Sequence, residues 1–116
     1  MSLLLYISLV FAQTFSTLHS PNDFAKLMER DYVLVDVRTP EEFAQGALPE
    51  AVNISVTDLS FPFEIAKLNK EKPVMIYCKG GTRSARAAVA MKALGFDEIH
   101  ELDGGYMAWQ AAQLNR

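Results

Sequence analysis

From Thr14 onward the chain alternates short, nearly unbroken apolar runs with stretches of helical spacing. Ser20-Pro21-Asn22-Asp23 reads as a helix start, with a serine N-cap, a proline in the first turn and a carboxylate three residues after the cap. Phe24, Leu27 and Met28 follow at i, i+3 and i+4 and form a single apolar stripe. Residues 32–37, YVLVDV, are rich in β-branched side chains and read as a strand covered on both faces. Thr39-Pro40-Glu41-Glu42 repeats the cap chemistry and opens another short helix. A short strand is predicted within 51–56, a helical stripe over 63–68, and a fully apolar strand, VMIY, over Val74–Tyr77. Residues 84–94 are alanine-rich and strongly helix-forming, with Gly95 placed for a left-handed C-cap. Residues 99–102 read as a last strand, and 106–114 as a last helix after Gly104-Gly105.

Strand and helix patterns in alternation predict one α/β domain, a central and mostly parallel sheet flanked by helices on both faces. In such sheets ligands bind beyond the carboxyl ends of the strands. That singles out Asp36-Val37-Arg38 and residues 78–84.

The first residues stand apart. Residues 3–12, LLLYISLVFA, carry no charge, and the first charged side chain of the chain is Asp23. The run falls short of the about 20 residues that span a bilayer but suits the apolar core of a signal peptide, although a basic start is missing. The expectation is a leader over 1–12 ahead of a domain over 13–116. It implies an exported or periplasmic protein; the other reading, an added buried strand or helix, leaves it cytoplasmic.

Composition narrows the chemistry. At 116 residues the chain supports one core, and with half its residues hydrophobic and 22% charged it is too apolar for disorder. The net charge is −3 and no basic run occurs, so no electrostatic footprint for nucleic acid or an anionic membrane exists. A single cysteine excludes an internal disulfide, and two histidines, His19 and His100, argue against a zinc site. No metal or cofactor is expected. Both histidines read as ordinary polar residues, Trp109 as core packing, and Glu41, Glu42, Asp97 and Glu98 as helix-end and turn charges.

The chemistry concentrates in Cys78-Lys79-Gly80-Gly81-Thr82-Arg83-Ser84, which links a buried strand to the alanine-rich helix. Two adjacent glycines let the chain curl so that successive N–H groups face one hollow. The hollow abuts a helix N-terminus, whose unpaired N–H groups favour an anion. A cysteine held there is a thiolate site. Lys79 and Arg83 add two cations, of which only the arginine offers a planar fork. A cysteine at a strand end is otherwise a small buried hydrophobe. Two cations and a helix start within six positions are not what that role requires.

The loop CKGGTRS resembles the active-site loop of the rhodanese family, usually Cys, two residues, Gly, one residue, Arg, Ser. VLVDVRTPEEFAQGALPEAVNI resembles that family's first signature and GGYMAW its carboxyl-terminal one, and together the matches cover about 20–109. The resemblance implies a sulfurtransferase in which Cys78 takes the outer sulfur of thiosulfate or another sulfane donor as a persulfide and passes it to cyanide or a thiol. It implies that Arg83 holds the anionic part of the donor and that Lys79 stands at the loop mouth. The backbone amides of Gly80, Gly81, Thr82, Arg83 and Ser84 would cradle the persulfide, while Asp36 and Arg38 support the loop. The partners implied are a small-molecule sulfur donor, a thiol acceptor and a sulfur-relay protein. One departure is plain. Where the family commonly has Gly-His-Ile-Pro-Gly-Ala, this chain has Gly46-Ala47-Leu48-Pro49-Glu50-Ala51, which puts the local turn in question.

Two other readings compete. Protein tyrosine phosphatases place five residues between the cysteine and arginine of a similar loop; here only Lys79, Gly80, Gly81 and Thr82 intervene. A binding or sulfide-sensing module on the same fold usually lacks the cysteine or its arginine, and this chain keeps both. For Asp36 and Arg38 the other reading is a solvated surface pair, which contributes little.

Overall fold

The structure, a computed structural model, describes residues 16–114. The segment 1–12, with its reading as a leader or added element, lies outside them. Five strands, β1 (Thr17–His19), β2 (Val33–Asp36), β3 (Val52–Asn53), β4 (Val74–Tyr77) and β5 (Ile99–Leu102), form one parallel sheet in the order β1-β5-β4-β2-β3. Between and after them run α1 (Pro21–Leu27), α2 (Pro40–Ala44), α3 (Phe61–Ile65), α4 (Thr82–Ala93) and α5 (Gly105–Leu114).

The two continuous apolar runs of the sequence are β2 and β4, two of the three inner strands, buried on both faces as such runs require. On one face, Val35, Val74, Ile76 and Ile99 pack against Phe61 and Ile65 of α3 and Ala87, Ala88 and Met91 of α4. On the other, Leu34, Met75, Tyr77 and Leu102 pack against Phe24 of α1 and the partly buried Tyr106 and Trp109 of α5. Each large side chain removed from water here stabilises the fold by about 1.5–3 kcal/mol before entropy is counted. The predicted caps form. Ser20 Oγ accepts from the Asp23 amide at 3.2 Å, and Thr39 and Glu42 make a reciprocal capping box.

Several boundaries differ from the sequence reading. β1 went unpredicted because TLH is three residues long, largely exposed and lacks an apolar run. The predicted stripe 63–68 is instead a helix over Phe61–Ile65, started by Pro62 in its first turn, and the strand predicted within 51–56 shortens to Val52–Asn53. α4 begins two residues early, at Thr82. Gly95 takes the left-handed conformation predicted for it, at φ +100°.

β2 and β4 are paired with Val35 opposite Ile76 and Asp36 opposite Tyr77. Their carboxyl ends are therefore level, and Val37 and Cys78 leave the sheet side by side, with Arg38 one residue further on.

Candidate active site

Cys78 is the residue after β4, buried with 1% of its surface exposed, and the chain turns from it into α4. Gly81 makes that turn. It is the N-cap residue of α4 at φ +112°, a left-handed conformation that glycine adopts without a Cβ clash. So placed, its N–H donates to Cys78 Sγ at 3.0 Å. The thiol donates to Ser84 Oγ at 3.6 Å, and that hydroxyl donates to the Gly81 carbonyl at 3.0 Å. Ser84 is fully buried in the first turn of α4. Sulfur, one loop amide and one hydroxyl thus form a closed set at the N-terminus of α4. Gly80 differs from Gly81: a Cβ there would meet nothing within 4 Å, so its space stays open.

The first turn of α5 backs the loop. The amides of Tyr106 and Met107 donate to the carbonyls of Cys78 and Lys79 at 2.8 and 3.1 Å. Gly105 makes this possible, since a Cβ there would lie 2.5 Å from the Cys78 carbonyl oxygen and 2.6 Å from the Lys79 carbonyl. Gly105 of GGYMAW is therefore a seat for the cysteine loop, a role that spacing alone did not disclose.

Asp36 and Arg38 are not a solvated pair. They are 0% and 3% exposed, and Arg38 Nε and Nη2 donate to the Asp36 carboxylate at 2.6–3.0 Å. The Tyr77 hydroxyl donates to Asp36 Oδ2 at 2.6 Å and accepts from the Leu48 amide at 3.0 Å. Arg38 Nη2 also donates to the Gly46 carbonyl at 2.6 Å, and the guanidinium lies 4.3 Å from the Tyr106 ring centroid. Burial works against the arginine's charge, but the hydrogen bonds and charge of Asp36 outweigh it and raise its pKa. Burial, followed by the Asp36 hydrogen bond, pushes the Tyr77 phenol up as well. This network ties β2, β4 and residues 46–48 together beneath the loop.

The structure places the Arg83 fork on Glu42. Nη1 and Nη2 donate to the two carboxylate oxygens at 2.6 and 2.9 Å, with both side chains about three-quarters buried. Glu42 is in turn held by the Thr39 amide and hydroxyl, each at 3.1 Å. Arg83 is the chief cause that holds its carboxyl at about 2. Glu42, read from sequence as a helix-end charge, is that and also the partner of the loop arginine. Lys79 is exposed, and its ammonium has no hydrogen bond or ion pair among the described residues. It borders a cleft of about 170 Å³ with Arg38, Glu42, Tyr106 and Met107 among its walls.

Cys78, Lys79, Gly80, Gly81, Thr82, Arg83 and Ser84 are thus in one loop and helix start, with Asp36 and Arg38 beneath. Glu42, Tyr77, Gly105 and Asn53 were missed. Asn53 Nδ2 donates to the Asp36 and Arg38 carbonyls at 3.0 and 2.9 Å. The signal available for Glu42 was its place at N3 of a capping box, which does not name Arg83 as its partner. Tyr77 offered only its polar tip at the end of an apolar strand.

Fold and loop define a parallel α/β domain with a cysteine cradle at the end of its central strand. Residues 20–112 match the rhodanese-like domain, and the chain belongs to that family. It is 37% identical over 79 residues to a sulfurtransferase of Allochromatium vinosum, covering 68% of this chain and 72% of that protein. It is 33% identical over 94 residues to a thiosulfate sulfurtransferase of Pseudomonas savastanoi pv. phaseolicola, covering 78% and 84%. A tRNA uridine(34) hydroxylase of Pelagibacter ubique is 34% identical over 89 residues, which cover 75% of this chain but 30% of that protein. Among solved structures, a rhodanese-like domain protein of Staphylococcus aureus superposes with a TM-score of 0.71 at 30% identity, covering 80% of this chain and 90% of that one.

Proposed function

We propose that the protein is a sulfurtransferase that carries sulfane sulfur from thiosulfate or a persulfide donor to a thiol or cyanide through a persulfide on Cys78. The observation that carries this reading is the Gly81 N–H directed at Cys78 Sγ at 3.0 Å, at the head of a 12-residue helix. The relatives named as sulfurtransferases support it.

In the first step the Cys78 thiolate attacks the outer sulfur of the donor. With thiosulfate the S–S bond breaks and its electron pair leaves with sulfite, so a thiolate and a dianion become a persulfide anion and a dianion. In the second step an acceptor thiolate attacks the terminal sulfur, and the thiolate of Cys78 is regenerated as a new persulfide departs. No net oxidation or proton transfer is needed in either step. The loop N–H groups and the α4 N-terminus stabilise the anion at each stage, and Ser84 turns its hydroxyl hydrogen toward the sulfur when the thiol proton is gone. Burial of Cys78 suits transfer of a single atom. A partner protein serving as donor or acceptor would approach over the mouth marked by Lys79.

Intact mass after incubation with thiosulfate tests the reading. One sulfur atom is expected on the wild type and none on a folded Cys78→Ser protein. A wild-type chain that gains no sulfur from thiosulfate or a small persulfide points instead to a binding module.

A further inference from the structure

The loop carries two cations, and the structure assigns them unequal freedom. Lys79 is exposed and unpaired among the described residues, whereas both terminal nitrogens of Arg83 are taken by Glu42. Glu42 is not a loosely held counter-ion. Its Oε1 also accepts from the amide and hydroxyl of Thr39, so releasing Arg83 means opening the capping box of α2 as well. The pair is partly buried, and Glu42 borders the same cleft as Lys79 beside the loop.

We propose that Glu42 is a specificity-determining residue that sets the charge of the sulfur donor: by occupying the Arg83 fork it favours a singly charged sulfane donor over dianionic thiosulfate. The inference rests on the sulfurtransferase reading and sharpens it. A dianion entering this site meets a carboxylate and an arginine whose charge is already matched, and its remaining counter-charge is Lys79, whose ammonium is solvated and screened. A persulfide or thiosulfonate anion brings one charge, which the loop amides and α4 N-terminus already accommodate. With its carboxyl at about 2, Glu42 is ionised throughout the neutral range, so the preference is built in rather than pH-switched.

The test compares thiosulfate with methanethiosulfonate, which presents the same sulfonyl-bound sulfur with one negative charge fewer. Attack of the Cys78 thiolate on its outer sulfur gives the persulfide anion and methanesulfinate, so atoms and charge balance as they do for thiosulfate. Rates of sulfur addition to Cys78 are measured with both donors for the wild type and Glu42→Gln. The amide keeps the shape and the capping acceptor while removing the charge. Glu42→Gln is expected to shift the ratio of second-order rate constants toward thiosulfate by about tenfold, less at high salt. Ser20→Ala, which removes the cap of the distant α1, controls for stability and is expected to leave the ratio where it was. An unchanged ratio in Glu42→Gln with both donors still loading Cys78 overturns the proposal, as does an equal shift in Ser20→Ala. If neither donor loads the wild type, the sulfurtransferase reading itself fails.

Discussion

The Tyr77 hydroxyl donates to Asp36 Oδ2 at 2.6 Å, joining the last residue of the strand that leads into Cys78 to the last residue of its neighbour. The same oxygen of Tyr77 accepts from the Leu48 amide, and the same carboxylate holds Arg38. One buried carboxylate therefore fixes the relative height of β2, β4 and the turn after α2.

Removing either end of that contact should have unequal costs. Tyr77→Phe leaves the Leu48 amide and one Asp36 lone pair unpaired, a loss of about 1–3 kcal/mol. Asp36→Asn strands the Arg38 guanidinium in the interior, and breaking a buried pair costs about 3–5 kcal/mol. Urea midpoints of the three proteins measure the order. Equal midpoints for Asp36→Asn and wild type would show that water reaches this network.

Gly105→Ala should damage the cysteine loop more than the fold. A Cβ at Gly105 would fall 2.5 Å from the Cys78 carbonyl oxygen, and φ there is +62°. The strained conformation costs about 1–2 kcal/mol. The larger consequence is displacement of Cys78, since misplacing reacting groups by about 1 Å costs on the order of 100-fold in rate. Sulfur loading of the variant, with its melting curve, separates the two. A stable variant that loads at the wild-type rate would mean that α5 does not position the loop.

What was legible in the sequence follows from how local each signal is. The two buried strands, the caps at Ser20 and Thr39 and the helix after the cysteine depend on near neighbours, and each was predicted. The loop chemistry was legible for the same reason, because Cys78 to Ser84 are consecutive. The missing contacts are long-range. Arg83 with Glu42 and Tyr77 with Asp36 each span 41 residues, and nothing in spacing says which carboxylate a loop arginine meets. Edge strand β1 shows the other limit, an element held by its pairing to β5 rather than by its own residues. The departure noted at Gly46 to Ala51 has a specific outcome. Glu50, where the resemblance placed glycine, takes φ +65°, so a side chain stands in a left-handed conformation there.

Stability should weaken below neutral pH through His19. Its Nε2 lies 2.8 Å from His100 Nδ1 across β1 and β5, while Nε2 of His100 meets Glu98 at 2.6 Å. Burial lowers the His19 pKa first, the neighbouring His100 adds to this, and Asp23 opposes it. The folded value lies below the unfolded one of about 6.5, so the unfolded chain binds the proton first as pH falls. The His19 contribution is complete above that value and declines below it, and a melting temperature that drops between about pH 7 and 5 is expected. Glu98 acts lower, because its pKa is depressed by the His100 hydrogen bond and its share is lost only as pH falls through the carboxylate range. His19→Gln should flatten the slope between about pH 7 and 5. The same slope in wild type and His19→Gln would assign the effect elsewhere.

Loop size decides between moving sulfur and hydrolysing phosphate. Four residues separate Cys78 from Arg83, and within that span the Gly81 amide already lies 3.0 Å from the sulfur. The hollow is drawn close around one atom, which fits an added sulfur better than a phosphoryl group with its three further oxygens. One glycine inserted between Gly81 and Thr82 gives the five-residue spacing of tyrosine phosphatases and moves the α4 N-terminus away from Cys78. The inserted protein should lose sulfur loading by about 100-fold or more. It should also gain weak hydrolysis of aryl phosphates, and the native protein should show almost none. Both activities are measured on both proteins, with circular dichroism to confirm the fold. A native loop that hydrolyses aryl phosphates faster than it accepts sulfur would overturn the assignment, because the close approach of the Gly81 amide would then serve phosphate rather than a persulfide.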